Sequence, residues 1–253
     1  MRKIALVTGA TAGIGTASAE ILAQNGYNLI ITGRRKELLD KLKNKLGVKY
    51  KSDVLALNFD IRDCQQTDEA IDKLPKTWKN IDVLINNAGL SAGLAPIHEA
   101  MIDDWEVMID TNIKGLLYIT RKIAPMMVKK RSGHIVNISS IAAKELYEGG
   151  NVYCATKHAV DALTKGMRID LVKYNVKVTS ISPGFVETEF SLVRFKGDKE
   201  RADKIYEGMT PLNADDVAEA VWFAVSRPAH VNINDMLIVP TAQANISTVI
   251  RKK

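Results

Sequence analysis

The chain of 253 residues is poor in cysteine, with only Cys64 and Cys154. Two cysteines cannot build a disulfide framework, and no C-x-x-C motif or Cys/His cluster indicates a zinc site. We therefore expect no bound metal and a location in the reducing cytoplasm.

Long apolar runs are missing as well. The longest uncharged stretches, 4–19 and 83–98, span 16 residues each and are rich in Gly, Ser, Thr or Asn. Neither stretch could cross a bilayer, so we expect no membrane partner. Arg2, Lys3 and the small residues at 17–19 imitate a secretory signal, but a strand, a turn and a helix explain the same stretch better.

Neither sign of charge dominates, because 35 Lys and Arg oppose 29 Asp and Glu, for a net charge of +6. This excess is compatible with an anionic ligand but identifies none. Residues 34–51 hold eight basic and two acidic side chains with little aromatic interleaving. Such a pattern is typical of a solvated helix face, and we expect no nucleic-acid partner.

Short runs rich in Val, Ile and Leu alternate with helical patterns along the whole chain. This alternation predicts βα units with right-handed crossovers and strands that are buried on both faces. We expect one α/β domain over 1–253, a Rossmann-like, doubly wound parallel sheet of about seven strands in the order 3-2-1-4-5-6-7. The predicted strands are 3–8, 28–32, 53–59, 81–85, 134–139, 176–181 and 236–239, and the predicted helices are 13–25, 34–46, 65–73, 103–131, 151–174, 199–208 and 213–226.

A glycine-rich turn, TGATAGIG at 8–15, follows the first strand and begins a helix. Glycines let a backbone approach a pyrophosphate, whose charge the helix N-terminal amides can meet. The spacing G-x-x-x-G-x-G differs from the commonest dinucleotide fingerprint, and a tight βα connection is the alternative. The position after the first strand favours a nucleotide site, formed by Gly9, Thr11, Ala12, Gly13, Ile14 and Gly15.

The end of the second strand discriminates between NAD and NADP. An acidic residue there would bind the ribose 2′-hydroxyl, but the chain has Thr32-Gly33-Arg34-Arg35. Guanidinium groups pair with a 2′-phosphate, so we predict NADP(H) as the cofactor, bound by Arg34 and Arg35. The alternative is a solvated helix start.

Two further strand ends carry candidate cofactor contacts. Asp60 and Ile61 follow the third strand, where a side chain could reach the adenine. Asn87, Ala88 and Gly89 follow the fourth strand, beside the expected ribose. For either stretch alone, ordinary turn chemistry is the alternative.

Ser140, Tyr153 and Lys157 form the candidate chemical core. The four-residue spacing places Tyr153 and Lys157 on one helix face. A neighbouring ammonium favours the phenolate, which can exchange a proton with an alcohol or carbonyl oxygen while Ser140 holds that oxygen. A serine hydrolase is disfavoured, because the chain lacks a G-x-S-x-G elbow around Ser140.

Together with Asn112 in TNIKG at 111–115 and with Pro183-Gly184, these motifs resemble the short-chain dehydrogenase/reductase family over essentially the whole chain. The resemblance implies a catalytic tetrad of Asn112, Ser140, Tyr153 and Lys157, with Asn112 supporting a water-linked proton relay. It places Lys157 at the nicotinamide ribose and the tyrosine. It also implies cofactor contacts by Tyr153, Lys157, Pro183, Gly184, Val186 and Thr188.

The segment 188–198 and the stretch PAHVNI at 228–233 are similar to a branch of NADP-dependent 3-hydroxy acid dehydrogenases. Members act on serine, allo-threonine or 3-hydroxyisobutyrate and are usually tetramers. The similarity implies a small carboxylate-bearing alcohol or carbonyl substrate and a homotetramer. Arg194, in an expected lid at about 186–212, could clamp the carboxylate beside Ser140 and Tyr153; a lid salt bridge or a solvated charge is the alternative.

Two other functions remain open from the sequence. A 3-oxoacyl or general carbonyl reductase could use the same scaffold on substrates without a carboxylate. A non-catalytic NADP(H)-binding sensor is also conceivable, although a sensor has no need of the proton-donating set around Tyr153.

Overall fold

Seven parallel strands form one sheet in the computed structural model, which describes residues 2–252. The strand order is β3-β2-β1-β4-β5-β6-β7. The predicted fold class and strand order are therefore confirmed; Met1 and Lys253, which the predicted domain included, lie outside the described residues. The strands are β1 Ile4–Val7, β2 Asn28–Gly33, β3 Val54–Asn58, β4 Ile81–Asn86, β5 Gly133–Ile138, β6 Val176–Pro183 and β7 Asp235–Ile238.

Helices connect the strands and cover both faces of the sheet. None of the helices within residues 2–252 has the length and apolar character that crossing a membrane requires. The helices are α1 Gly13–Gln24, α2 Lys36–Tyr50, α3 Cys64–Asp72, α4 Ile102–Ile109, α5 Leu116–Lys130, α6 Asn151–Leu171, α7 Glu189–Arg194, α8 Lys199–Lys204 and α9 Ala214–Val225.

The central strand β1 is apolar at successive positions because both of its faces are buried. Side chains along a strand alternate between the two faces of a sheet. Ala5 and Val7 belong to the buried cluster that includes residues of α1, α2 and α9, whereas Ile4 and Leu6 belong to the cluster that includes residues of α3 and α5. Both faces of the sheet are thus buried, as in other parallel sheets.

The predicted helix 103–131 is wrong in one respect, because a π-helical turn at Asp110–Gly115 separates α4 from α5. Gly115 packs closely against the β3–α3 connection, and a Cβ there would lie 3.0 Å from the Ile61 Cγ2 atom. Single π turns often mark functional sites in helices. Helical periodicity cannot show this contact, which joins distant parts of the chain.

Other boundaries differ from the predictions at the edge where the site lies. Helix α2 begins at Lys36, so both arginines predicted to bind phosphate precede it. Strand β6 continues to Pro183. The separate helix α7 was not among the predicted helices; the Thr188 hydroxyl caps it by accepting a hydrogen bond of 3.2 Å from the Phe190 amide.

Candidate active site

A cavity of about 670 Å³ opens at the carboxyl ends of the strands. It lies where the general rule for doubly wound sheets places ligands. Of the predicted site residues, Gly15 and Asn112 do not line the cavity. Those that line it are Gly9, Thr11, Ala12, Gly13, Ile14, Arg34, Arg35, Asp60, Ile61, Asn87, Ala88, Gly89, Ser140, Tyr153, Lys157, Pro183, Gly184, Val186, Thr188 and Arg194.

The glycine-rich turn is packed against the end of β4. Gly9 has a φ of +64°, and a Cβ on it would lie 2.9 Å from the Ala88 Cα atom. A Cβ on Gly15 would overlap the carbonyl oxygen of Gly9. The Asn87 side chain donates to the carbonyl oxygens of Thr8 and Gly9, at 2.9 and 3.1 Å. The Asn87 side chain therefore fixes the turn, and only glycine fits at positions 9 and 15.

The first turn of α1 fits an anionic group. Ala12 precedes the helix and supplies no side-chain cap, and the first turn contains no acidic residue. The N-terminal amides of a helix need partners, and phosphate groups are frequent ones. Gly13 has a φ of +48°, and a Cβ on it would lie 3.0 Å from the Thr188 Cγ2 atom. An uncapped helix start at a glycine cradle is therefore a suitable place for a pyrophosphate.

Arg35 does not point freely into solvent. Its Nη1 donates to Glu189 Oε2 at 2.8 Å, and its Nη2 donates to the carbonyl oxygen of Thr11 at 3.2 Å. Arg34 Nη1 lies 4.0 Å from Asp60 Oδ2, and that carboxylate also accepts a 2.6 Å hydrogen bond from Arg62 Nη2. Two guanidinium groups therefore line the cavity at the end of β2, where both were predicted.

Ser140, Tyr153 and Lys157 come together at the inner end of the cavity. Ser140 follows β5, and its Oγ accepts a hydrogen bond of 3.1 Å from the Ala142 amide. Tyr153 and Lys157 lie one turn apart on α6, with the Lys157 Nζ 6.0 Å from the centre of the Tyr153 ring. All three side chains are buried. The Ser140 hydroxyl acts to lower the pKa of the Tyr153 phenol.

The electrostatics of Tyr153 differ from the expectation that Lys157 favours its phenolate. Burial raises the pKa of Tyr153 above its ordinary value, while the positive charge of Arg194 and the hydrogen bond with Ser140 act to lower it. Lys157 donates to the carbonyl oxygen of Ile138 at 3.0 Å, and burial lowers its pKa to about 8. The cation that acts on the phenol in this structure is therefore Arg194.

Asn112 lies behind the cavity wall. Its Oδ1 accepts from the Leu90 amide at 2.9 Å, and its Nδ2 donates to the Leu90 carbonyl at 2.8 Å and to Thr156 Oγ1 at 3.0 Å. A Cβ on Gly89 would lie 3.3 Å from Asn112 Oδ1 and 3.6 Å from Lys157 Nζ. Asn112 thus joins the end of β4 to α6 close to Lys157, and its amide is fully hydrogen-bonded.

Arg194 is surrounded by aromatic rings. Its Nη2 donates to the Tyr147 hydroxyl at 2.8 Å, and its guanidinium carbon lies 5.2 Å from the Phe190 ring centre and 5.3 Å from that of Tyr153. Its buried Nε has no hydrogen-bond partner in the part of the chain that the structure describes. No carboxylate within residues 2–252 lies within 4.0 Å of it. Arg194 therefore brings an uncompensated positive charge to the cavity, and the alternative of a lid salt bridge is not observed.

Several lining residues escaped sequence reasoning. Tyr147 and Glu148 precede α6, whereas Gln243 and Ile246 belong to the segment after β7. The Gln243 Oε1 accepts from the Phe185 amide at 3.0 Å and so holds the wall of the cavity. These residues lie in irregular segments without a motif, and only their closeness in the chain to Tyr153 could have drawn attention to the first two.

Residues 3–198 match the family described as short chain dehydrogenase. The chain belongs to this family. Within it, the chain is 50% identical over 242 residues to the NADP-dependent 3-hydroxy acid dehydrogenase YdfG of Salmonella typhi, covering 95% of this chain and 96% of the relative. It is 44% identical to the serine 3-dehydrogenase of Agrobacterium fabrum over 94% of each chain.

Solved structures show the same relationship. The closed form of serine dehydrogenase complexed with NADP+ superimposes with a TM-score of 0.93 at 46% identity, covering 99% of this chain and 100% of that one. Serine dehydrogenase from Escherichia coli gives a TM-score of 0.82 at 42% identity over 95% and 99% of the two chains. This member of the short-chain dehydrogenase family is therefore similar over its full fold to serine dehydrogenases.

Proposed function

We propose that the protein is an NADP-dependent oxidoreductase that interconverts a hydroxyl and a carbonyl group on small 3-hydroxy acids such as serine, allo-threonine or 3-hydroxyisobutyrate. The observation that carries this proposal is the position of Arg194, whose unpaired charge lies 5.3 Å from the ring centre of the buried Tyr153. A cation beside a proton-exchanging phenol suits a substrate with a carboxylate near its hydroxyl. The names of the relatives point to the same substrates.

The cavity has groups for both ends of NADP(H). The uncapped amides of α1 would receive the pyrophosphate, and Arg34 and Arg35 would bind the 2′-phosphate. Thr188, which the family resemblance assigns to the nicotinamide carboxamide, and Val186 both line the cavity. NADP(H), when bound, supplies the position that accepts or donates the hydride.

The proton chemistry belongs to Tyr153. During oxidation the phenolate form of Tyr153 takes the proton of the substrate hydroxyl and becomes the phenol, and during reduction the phenol donates its proton to the carbonyl oxygen. Ser140, whose hydroxyl acts to lower the pKa of the phenol, holds the same substrate oxygen. The charge of Arg194 and the Ser140 hydrogen bond counter the effect of burial on the pKa of Tyr153. Lys157 and Asn112, whose polar ends both lie next to Gly89, support the positions of these catalytic side chains.

The segment 186–212 is proposed to act as a lid on a single domain spanning 1–253. Val186 and Leu212 pair as an isolated parallel bridge, with Glu187 N donating to Leu212 O at 2.8 Å and Leu212 N to Phe185 O at 3.0 Å. The two ends of the segment that carries α7, α8 and Arg194 are therefore hydrogen-bonded to each other. A hinge at this bridge would let the segment close over a substrate.

The cytoplasm and a homotetramer are the proposed location and assembly. Both cysteines are free, as a reducing compartment permits. Phe223 on α9 and Leu237 on the edge strand β7 are 46% and 49% exposed, and Ile169 on α6 is 75% exposed. Apolar side chains beside an unpaired strand edge suit contacts between subunits. Light scattering should give a mass four times that of the chain, and Leu237→Asp should reduce it; a monomer would refute the assembly.

The test of the proposed function is a spectrophotometric screen with NADP+ and NAD+ against serine, allo-threonine, 3-hydroxyisobutyrate and simple alcohols. We expect NADP+ reduction by the 3-hydroxy acids and little with alcohols that lack a carboxylate. Activity confined to acyl thioesters or bulky ketones would establish a carbonyl reductase instead. Binding of NADPH without turnover of any substrate would indicate a sensor.

A further inference from the structure

The charged side chains that line the cavity are mostly paired with one another. They are Arg34, Arg35, Asp60, Glu148, Lys157, Glu189 and Arg194. Arg34 lies 4.0 Å from Asp60, and Arg35 lies 2.8 Å from Glu189. Among the lining carboxylates of residues 2–252, Glu148 alone has neither an ion pair nor a side-chain hydrogen bond. The unpaired charges are thus one carboxylate and two cations.

Glu148 occupies a fixed position at the mouth of the cavity. It lies at the second position of a turn in which the Gly150 amide donates to the Tyr147 carbonyl at 3.1 Å. Gly149 has a φ of +71°, and a Cβ on it would come within 3.2 Å of the Ala95 amide nitrogen. A side chain at the third position would therefore strain this turn. The backbone at Glu148 is therefore held by the turn, and the Glu148 carboxylate makes no hydrogen bond within it.

The same turn is bonded to Arg194. Tyr147, which directly precedes Glu148, accepts the 2.8 Å hydrogen bond from Arg194 Nη2. No ion pair within 4.0 Å joins Glu148 to Arg194, although both line the cavity. The unpaired carboxylate of Glu148, next to Tyr147 in the chain, and the guanidinium of Arg194, bonded to Tyr147, therefore both line the cavity. The guanidinium carbon also lies 5.3 Å from the centre of the Tyr153 ring.

We propose that Glu148 binds the ammonium group of a zwitterionic β-hydroxy-α-amino acid and is the residue that favours amino acid substrates over 3-hydroxy acids without an amino group. This inference rests on the proposed function. The substrate carboxylate pairs with Arg194, its hydroxyl faces Ser140 and Tyr153, and its ammonium faces Glu148. Three groups on adjacent carbon atoms are thereby matched to three side chains of complementary chemistry, which also fixes the orientation of the carbinol carbon.

The experiment compares serine, as each enantiomer, with 3-hydroxypropionate, which is serine without its amino group. Glu148→Gln keeps the size of the side chain and removes its charge, and it breaks no hydrogen bond of the described residues. Glu106→Gln, an exposed carboxylate on α4 outside the cavity lining, is the matched control. Both variants are assayed with NADP+ at low and high salt.

With Glu148→Gln we expect kcat/KM for serine to fall about 5- to 10-fold, mainly through KM, because the lost contact is a charge-assisted hydrogen bond at a solvent-exposed position. The value for 3-hydroxypropionate should stay within about 2-fold, since its contacts are untouched. High salt should reduce the preference of the unsubstituted protein for serine, because screening weakens exposed charge pairs.

Equal losses on both substrates, or no loss on serine, would overturn the role of Glu148 while leaving the proposed function in place. A loss of the same size in Glu106→Gln would also overturn it, because a general effect of net charge would then be the cause. Failure of the unsubstituted protein to oxidise either substrate would refute the proposed function and this inference together.

Discussion

The guanidinium of Arg35 donates a 2.8 Å hydrogen bond to the carboxylate of Glu189 and so joins the end of β2 to the first residue of α7. Its remaining hydrogen bonds go to Thr11 in the glycine-rich turn. One side chain therefore links the proposed 2′-phosphate site, the proposed pyrophosphate site and the proposed lid. A 2′-phosphate that binds Arg35 would either share the guanidinium with the Glu189 carboxylate or displace that carboxylate from it.

Replacing Arg35 should reduce the preference for NADP+ over NAD+. We expect Arg35→Ala to lower the ratio of the kcat/KM values for the two cofactors at least about 10-fold, because a charged hydrogen bond to the 2′-phosphate is lost. Lys43→Ala removes an exposed charge of the same sign from α2 and should leave the ratio unchanged. Parallel losses with both cofactors in Arg35→Ala would refute the assignment.

Arg194 should matter most for substrates with a carboxylate. Arg194→Met keeps an apolar stem among the rings of Phe190 and Tyr153 but removes the charge. We expect about a 10- to 100-fold lower kcat/KM for serine, since a charge-assisted pair is lost, and a much smaller effect on an uncharged secondary alcohol. An equal effect on the two substrates would exclude a carboxylate clamp.

The buried His134 should make the protein sensitive to mild acid. Burial, with a smaller contribution from Lys177, lowers the pKa of His134 from 6.5 to about 3, and its Nε2 hydrogen-bonds the Thr179 hydroxyl at 2.7 Å. The unfolded chain therefore binds a proton that the folded chain does not, so stability is lost as the pH falls below 6.5.

This titration should cost about 2 kcal/mol of unfolding free energy between pH 6.5 and pH 5. Urea unfolding at a series of pH values should show that His134→Gln, which keeps a hydrogen-bonding group near Thr179, loses less stability over this range. Identical pH dependence in the two proteins would contradict the assignment.

The sheet and the location of the site could be predicted from the sequence because both depend on local patterns. Apolar runs of strand length located the strands, and the rule for doubly wound sheets gave their order. The residues directly after the strands, such as Ser140 and Arg34, line the cavity as expected. Chain order and strand polarity suffice to bring such residues together.

The rest of the site depends on contacts between distant segments. The π turn that carries Asn112 ends at Gly115, which packs closely against Ile61. The orientation of Arg194 follows its bond to Tyr147, 47 residues away in the chain. The i,i+4 spacing of Tyr153 and Lys157 predicts their proximity but not the hydrogen bond that the Lys157 ammonium donates to the Ile138 carbonyl oxygen. None of these contacts has a local signal in the sequence.

The most direct measurement is NADPH formation from NADP+ and serine by Tyr153→Phe, combined with calorimetric titration of NADP+ into the same variant. Loss of the phenol oxygen should lower kcat at least about 100-fold, because the proton acceptor is gone, while the Kd for NADP+ stays within about 2-fold. Turnover close to that of the unsubstituted protein would contradict proton exchange by Tyr153 and with it the proposed mechanism.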